Sequence, residues 1–208
     1  NLSFHISEGD KIALIARNGT GKSTLLRILA GKEFEDSGKI WISKDVDIAL
    51  FEQNPEFMEK ETILQNIFFH DHPVMNAIRE YELSMESEDY ARQGDAIIKM
   101  DEMGAWDFDA KVQQILGKLN IHNLEQVVNT LSGGQRKRVA LARTLIDIGF
   151  EHKHILLIMD EPTNHLDVEM VEWLEHYLNK ERITLLLVTH DRYFLDAVCN
   201  EVWELDGR

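Results

Sequence analysis

One cysteine in 208 residues, Cys199, leaves the chain unable to close an internal disulfide, which fits a reducing compartment. Only three prolines and twelve glycines are present, and no low-complexity tract, repeat or recognisable interdomain linker appears. Positive charge is scarce: 22 Lys and Arg stand against 37 Asp and Glu, a formal net charge of -15. The deficit concentrates in residues 52–110, which hold 15 acidic and 4 basic side chains. Such a surface argues against broad electrostatic attachment to nucleic acid, while leaving a local basic contact open. Most of these acids read as a solvated helical face. The longest strongly apolar runs, His154–Met159 and Ile183–Val188, are too short to span a bilayer. No signal-peptide pattern is visible, and a chain beginning at Asn1 is expected to be a piece of a longer polypeptide.

The remaining composition, 44% hydrophobic and 28% charged, suits one large soluble domain or a domain with a subdomain. Apolar runs without polar alternation predict buried strands at Ile12–Ala16, Ile155–Met159 and Ile183–Val188. Shorter strands are expected at Lys39–Ile42 and Asp47–Phe51, helices at Lys22–Ala30 and Val168–Leu178, and turns at Gly9, Gly31 and Gly38. From Thr62 to about Leu119 the spacing becomes helical, with Pro73 and Gly94 expected to limit any continuous helix. The pattern predicts an α/β core, mainly residues 1–60 and 145–208, interrupted by a helical insert over 61–144.

Four segments carry chemistry. Behind the first strand stands Ala16-Arg17-Asn18-Gly19-Thr20-Gly21-Lys22-Ser23-Thr24. A phosphate-binding loop asks for Gly, four variable residues, then Gly-Lys-Ser/Thr; Gly21, Lys22 and Ser23 fit, and Ala16 occupies the first glycine position. Glycines let the backbone curl so that successive N–H groups face phosphate oxygens at a helix N-terminus. Lys22 would reach β- and γ-phosphates, and the Ser23 hydroxyl would ligate Mg²⁺. The strand His154–Met159 ends in Asp160-Glu161, at the strand edge where open α/β sheets bind ligands. Asp160 would hold Mg²⁺, directly or through water, and Glu161 would orient or deprotonate an attacking water. Val188-Thr189-His190-Asp191 follows the same grammar. His190 can hydrogen-bond a γ-phosphate, and Asp191 either orients it or caps the next helix.

Leu131-Ser132-Gly133-Gly134-Gln135 places a hydroxyl and unshielded N–H groups before a helix expected to begin near Gln135. A second anion-binding helix end in a domain with one nucleotide crevice suggests use in trans. The following Arg136-Lys137-Arg138 reads either as a nucleic-acid patch or as the first turns of a helix drawn into a core by Val139, Leu141 and Ala142.

Taken together, these residues resemble the nucleotide-binding domain of an ATP-binding cassette (ABC) protein over essentially the whole chain. Ala16–Thr24 resembles its Walker A loop, Leu131–Gln135 its signature motif, Ile155–Asp160 its Walker B strand and Glu161 its catalytic carboxylate. Gln53 matches the glutamine loop that senses Mg²⁺ and the attacking water, His190 the switch histidine, and Asn164–Asp167 the loop that contacts an opposing domain. The resemblance implies an α/β P-loop core with an antiparallel β edge and a helical subdomain carrying the signature. It also implies Mg²⁺-dependent ATP hydrolysis by a head-to-tail pair, each ATP held between the Walker loops of one domain and Ser132–Gly134 of another.

The wording Glu161-Pro-Thr-Asn-His-Leu-Asp167 and Thr189-His-Asp-Arg-Tyr-Phe-Leu-Asp196 most resembles the soluble class F, and within it the first cassette of the Uup-like branch. That resemblance implies a cytoplasmic, ribosome-associated factor with a second cassette on the same full-length chain, RNA contact through the full-length protein, and no membrane insertion. The stretch between Gln53 and Ser132 would contain the helical region enlarged where the class carries its variable arm. The alternative is the ATPase subunit of a membrane transporter, and a third reading is a nonhydrolytic interaction module. Ala16 departs from the family glycine, and the isolated domain is expected to turn over slowly.

Overall fold

The computed structural model describes residues 3–16, 19–69, 73–149 and 154–205. In chain order these form β1 (Lys11–Ala16), α1 (Lys22–Leu29), β2 (Asp47–Phe51), α2 (Ile63–Ile67), α3 (Pro73–Met85), α4 (Tyr90–Glu102) and α5 (Trp106–Lys118). A 3₁₀ turn at Val128–Thr130 leads to α6 (Gly133–Ile148), β3 (Ile155–Asp160), α7 (Val168–Lys180), β4 (Thr184–Val188), α8 (Arg192–Val198) and β5 (Glu201–Leu205). Two compact units result, one of residues 1–55 with 151–208 and one of residues 56–150.

The first unit is built on a five-stranded sheet of order β2-β3-β4-β1-β5. Every join is parallel, with Asp47 opposite Ile155, Leu156 opposite Thr184, Lys11 opposite Leu185 and Ile12 opposite Glu201. β4 is buried along its whole length, as uninterrupted Leu and Val in a central strand require. Ile12, Leu14, Leu156, Ile158, Leu186 and Val188 pack with Leu26 and Leu29 of α1. That core fixes α1, and hence the loop before it, on the sheet.

The α/β P-loop class stands, with one local difference. Residues 39–42 form no ladder, and no antiparallel edge is present among the named strands. Ile40, Trp41 and Ile42 are 41%, 85% and 40% exposed. β-propensity alone does not hold a strand without a paired neighbour and a buried face.

The second unit is helical. Pro73 opens α3, where its missing N–H would be unpaired anyway. Gly94, expected to limit a helix, lies inside α4 instead. Glycine costs a helix about 1 kcal/mol, but the Asp89 side chain caps α4 by accepting from the N–H groups of Ala91 and Arg92, and Ala96 and Met100 are buried. α3 and α4 form a hairpin, and α6 packs on α2 and α5. Tyr81 meets Trp106 edge-on at 5.1 Å. Two carboxyls lie between α3 and α5. The Gln113 amide donates to Glu82 Oε1 at 2.7 Å, while the buried Asp109 keeps Oδ1 without a hydrogen-bond partner. Burial pushes both carboxyls above their ordinary range, and the Asp109 charge pushes Glu82 further.

Candidate functional site

β1, β3 and β4 lie side by side, with β4 in the middle, so the loops leaving their carboxyl ends meet at one edge. From β1, whose last residue is Ala16, the chain turns through Gly19 and Gly21 at φ 82° and 86°. These left-handed angles favour glycine, and Gly21 becomes the N-cap of α1 with no side chain capping the helix. The first-turn N–H groups of α1 point out of the helix start, and the helix dipole points at the same spot. An anion is the natural occupant of such an uncapped start. Arg17 and Asn18 lie outside the described residues.

The Ser23 hydroxyl donates to Asp160 Oδ2 at 2.8 Å, joining the residues expected to hold Mg²⁺. Asp160 is 6% exposed. These are hard oxygen donors suited to that ion. Among the described residues no group of three or more His, Cys, Asp or Glu could hold a metal alone. Two protein oxygens fit Mg²⁺ that takes its other ligands from phosphate and water, its usual habit. Gln53 sits exposed two residues beyond the end of β2, at the same carboxyl edge.

Glu161 adopts φ 53°, a left-handed angle that costs a side-chain-bearing residue about 1–2 kcal/mol. Its backbone holds it there: the Glu161 N–H donates to Val188 O at 2.8 Å. The carboxylate is buried. Oε2 accepts the His190 N–H at 3.3 Å, and Oε1 has no hydrogen-bond partner. His190 Nε2 stands 3.5 Å from that oxygen on a largely exposed ring. A buried carboxylate with one oxygen outside any hydrogen bond and the His190 ring 3.5 Å away is a candidate water-activating base. Asp191 proves to be a helix cap, accepting from the Phe194 N–H at 3.1 Å. Asp167 likewise caps α7 through the Met170 N–H at 2.9 Å, while Asn164 is exposed, its N–H reaching Glu161 O at 3.3 Å.

In the helical unit, α6 begins at Gly133, two residues earlier than expected, because Ser132 and Gln135 form a capping box. The Gln135 N–H donates to Ser132 Oγ at 3.3 Å, and the Ser132 N–H to Gln135 Oε1 at 2.9 Å. A side chain at Gly133 would meet nothing within 4 Å, so the chain's own packing does not require glycine there. Arg136 is committed internally: it pairs with Glu59 and lies over the Phe57 ring at 5.1 Å. This weakens the nucleic-acid reading of Arg136–Arg138. The apolar cavity of about 370 Å³ at Phe4, Leu14, Leu25, Trp203 and Leu205 includes none of the phosphate-site residues.

A glycine-turned helix start, a hydroxyl–carboxylate pair and a second acid, gathered at the carboxyl edge of a parallel sheet, define a P-loop nucleotide-binding core. Known proteins agree: the family model described as ABC transporter matches residues 1–164, and the chain belongs to that family. The uncharacterized ABC transporter ATP-binding protein YfmR of Bacillus subtilis (strain 168) is 44% identical over 214 residues, covering 99% of this chain and 33% of that protein. The energy-dependent translational throttle protein EttA of Escherichia coli (strain K12) is 35% identical over 222 residues, covering 99% and 38%. An archaeal ribosome recycling factor, solved with a ribosomal stalk protein, is similar at TM-score 0.63 and 25% identity, over 98% of this chain and 33% of that one. The chain therefore spans between 33% and 38% of the two curated relatives. No helix among the described residues is long and apolar enough to cross a membrane.

Proposed function

We propose that this chain is a single ABC nucleotide-binding domain that binds ATP with Mg²⁺ and hydrolyses it as half of a head-to-tail pair. The carrying observation is the Ser23–Asp160 contact, followed in the chain by the buried Glu161 with His190 against its carboxylate. ATP phosphates would lie on the N-terminus of α1 with Lys22, and Ser23, Asp160 and Gln53 would hold Mg²⁺, which neutralises phosphate charge. Glu161 Oε1 accepts a proton from the water that attacks the γ-phosphorus. The bond to the bridging oxygen breaks, and ADP leaves with the electron pair. His190 donates a hydrogen bond to the transferring phosphoryl group.

Ser132, Gly133, Gly134 and Gln135 would face the ATP of the opposing domain, with Asn164 and Asp167 at the junction. The capping box leaves this role open: Ser132 Oγ accepts from Gln135 and can still donate its own proton to a phosphate. We assign residues 1–60 and 145–208 mainly to the ATP-binding core and 61–144 mainly to the signature-bearing helical part with its arm region, bounds a few residues inside the compact helical unit.

We further infer that the full-length parent is a cytoplasmic, translation-associated factor of class F, with this chain as the first cassette of a Uup-like protein. The second cassette would be on the same chain. Supporting this are the similarity to a protein named as a translational throttle and to a ribosome recycling factor. Ribosome co-sedimentation of the parent carrying Glu161→Gln, and its counterpart in any second cassette, tests the reading. Retention with ATP and release with ADP are expected. No retention, with ATP binding and pairing intact, would overturn the ribosome role and favour a transporter subunit.

A further inference from the structure

Helix α4 buries one side and exposes apolar residues among the acids of the other. Ala96 and Met100 form its buried side, 2% and 0% exposed. At about 100° per residue, Gly94 and Ile98 fall at the middle of the opposite side, with Tyr90 one turn before Gly94 and Ile97 at the border. Tyr90 is 83% exposed, Ile98 56% and Ile97 39%. A surface helix ordinarily turns polar residues outward, so large apolar side chains exposed among the acids of this helix stand out.

Gly94 sharpens the point. Glycine inside a helix weakens it relative to alanine, and here no packing explains it, since an added Cβ would meet nothing within 4 Å. What glycine leaves is a shallow notch between Tyr90 and Ile98, open to close approach from outside.

Charge selects the occupant. Residues 86–102 hold six acids against Arg92 and Lys99, and Lys99 is already opposite Glu80 at 3.5 Å. This field repels a phosphate backbone and anionic lipid headgroups. A second copy of the same face would set acid against acid in a symmetric contact. We propose that the outward face of α4 docks a protein segment with an apolar centre flanked by Lys or Arg, an amphipathic basic helix being the simplest form. The apolar side of that segment covers Tyr90 and Ile98, its backbone approaches Gly94, and its bases meet Asp95 and Glu102. The proposal does not depend on the ribosome reading.

The test places p-benzoylphenylalanine at position 98 of the full-length parent and irradiates living cells. The expected product is a protein adduct whose cross-linked peptide carries Lys or Arg around apolar residues. Its yield should fall about tenfold on adding Asp95→Lys with Glu102→Lys, which opposes like charges, and on adding Gly94→Gln. Circular dichroism and melting no lower than wild type would show that these variants fold. Adducts to RNA, lipid or a second copy would overturn the proposal. So would adducts indifferent to charge reversal, or none above those from the same probe at Glu172. Ribosome sedimentation judges the earlier reading separately.

Discussion

Replacing Ser132 by Ala removes the acceptor for the Gln135 N–H while leaving the bond from the backbone N–H of position 132 to the Gln135 side chain. Loss of a Ser cap costs about 1 kcal/mol, within a range of roughly 0.5–2. In a chain of 208 residues that corresponds to a fall of about 2–4 °C in melting temperature. Ser132→Asp behaves differently. Its carboxylate can still accept from the first-turn N–H groups and adds favourable charge to the helix start, so melting should return to the wild-type value or rise. Yet the same negative charge would oppose a phosphate presented by the partner domain. Thermal unfolding read by circular dichroism, set beside ATP-driven pairing of the full-length parent read by fluorescence transfer between cassettes, separates the two roles. The alanine variant should lose stability and pair weakly, while the aspartate variant should keep stability and fail to pair. Wild-type melting of Ser132→Ala would refute the cap, and ATP-driven pairing of Ser132→Asp at the wild-type level would remove this hydroxyl from the phosphate site.

Glu161→Gln should lower phosphate release by about 100-fold or more with nucleotide binding retained. Unchanged turnover would exclude Glu161 as the base. Asp109→Asn should stabilise the chain at neutral pH by on the order of 1 kcal/mol, because it removes a buried charge with one unpaired oxygen. Asp109 and Glu82 are raised in the folded state, so the native chain binds more protons there than the unfolded one. Their contribution is complete below the unfolded carboxylate value and is lost as pH rises through the raised folded values. Urea titrations across that window should show a decline in wild type that flattens in Asp109→Asn, and parallel curves would refute the assignment. Gly94→Ala should raise stability by about 0.5–1 kcal/mol, since the added methyl meets nothing. A lower urea midpoint would show that the helix is under local strain.

Much of this was legible in the residues themselves. Asp47–Phe51 is a strand with the expected bounds, and the apolar runs at 155–159 and 183–188 became central strands because nothing polar interrupts them. The glycine turn before α1 and the placement of Asp160-Glu161 at a strand end were readable as well, because turn glycines and paired acids after a buried run leave local patterns. Three features were not. Residues 39–42 look like a strand, but pairing is non-local and none of the described strands pairs with them. β5 was missed because Glu201 and Glu204 break its apolar run, and its partner, β1, lies nearly the whole chain away. Asp109 gave no warning of burial, since an acid on a helical stripe looks solvated until a second helix packs over it. Asp191 was readable only as a choice between orienting His190 and capping a helix, and geometry selected the cap.

The strand order has a consequence for synthesis. β1 pairs on one side with β4 and on the other with β5, and β2 pairs only with β3. As the chain leaves the ribosome from its N-terminus, Ile12, Leu14 and Phe51 emerge well before any strand that will cover them. The helical unit is contiguous and can close first, whereas the sheet must wait for its last third of sequence. Loop-closure entropy makes such distant pairings slow. The early strands would therefore spend this interval as exposed apolar segments, the period in which aggregation competes with folding and a chaperone has most to offer.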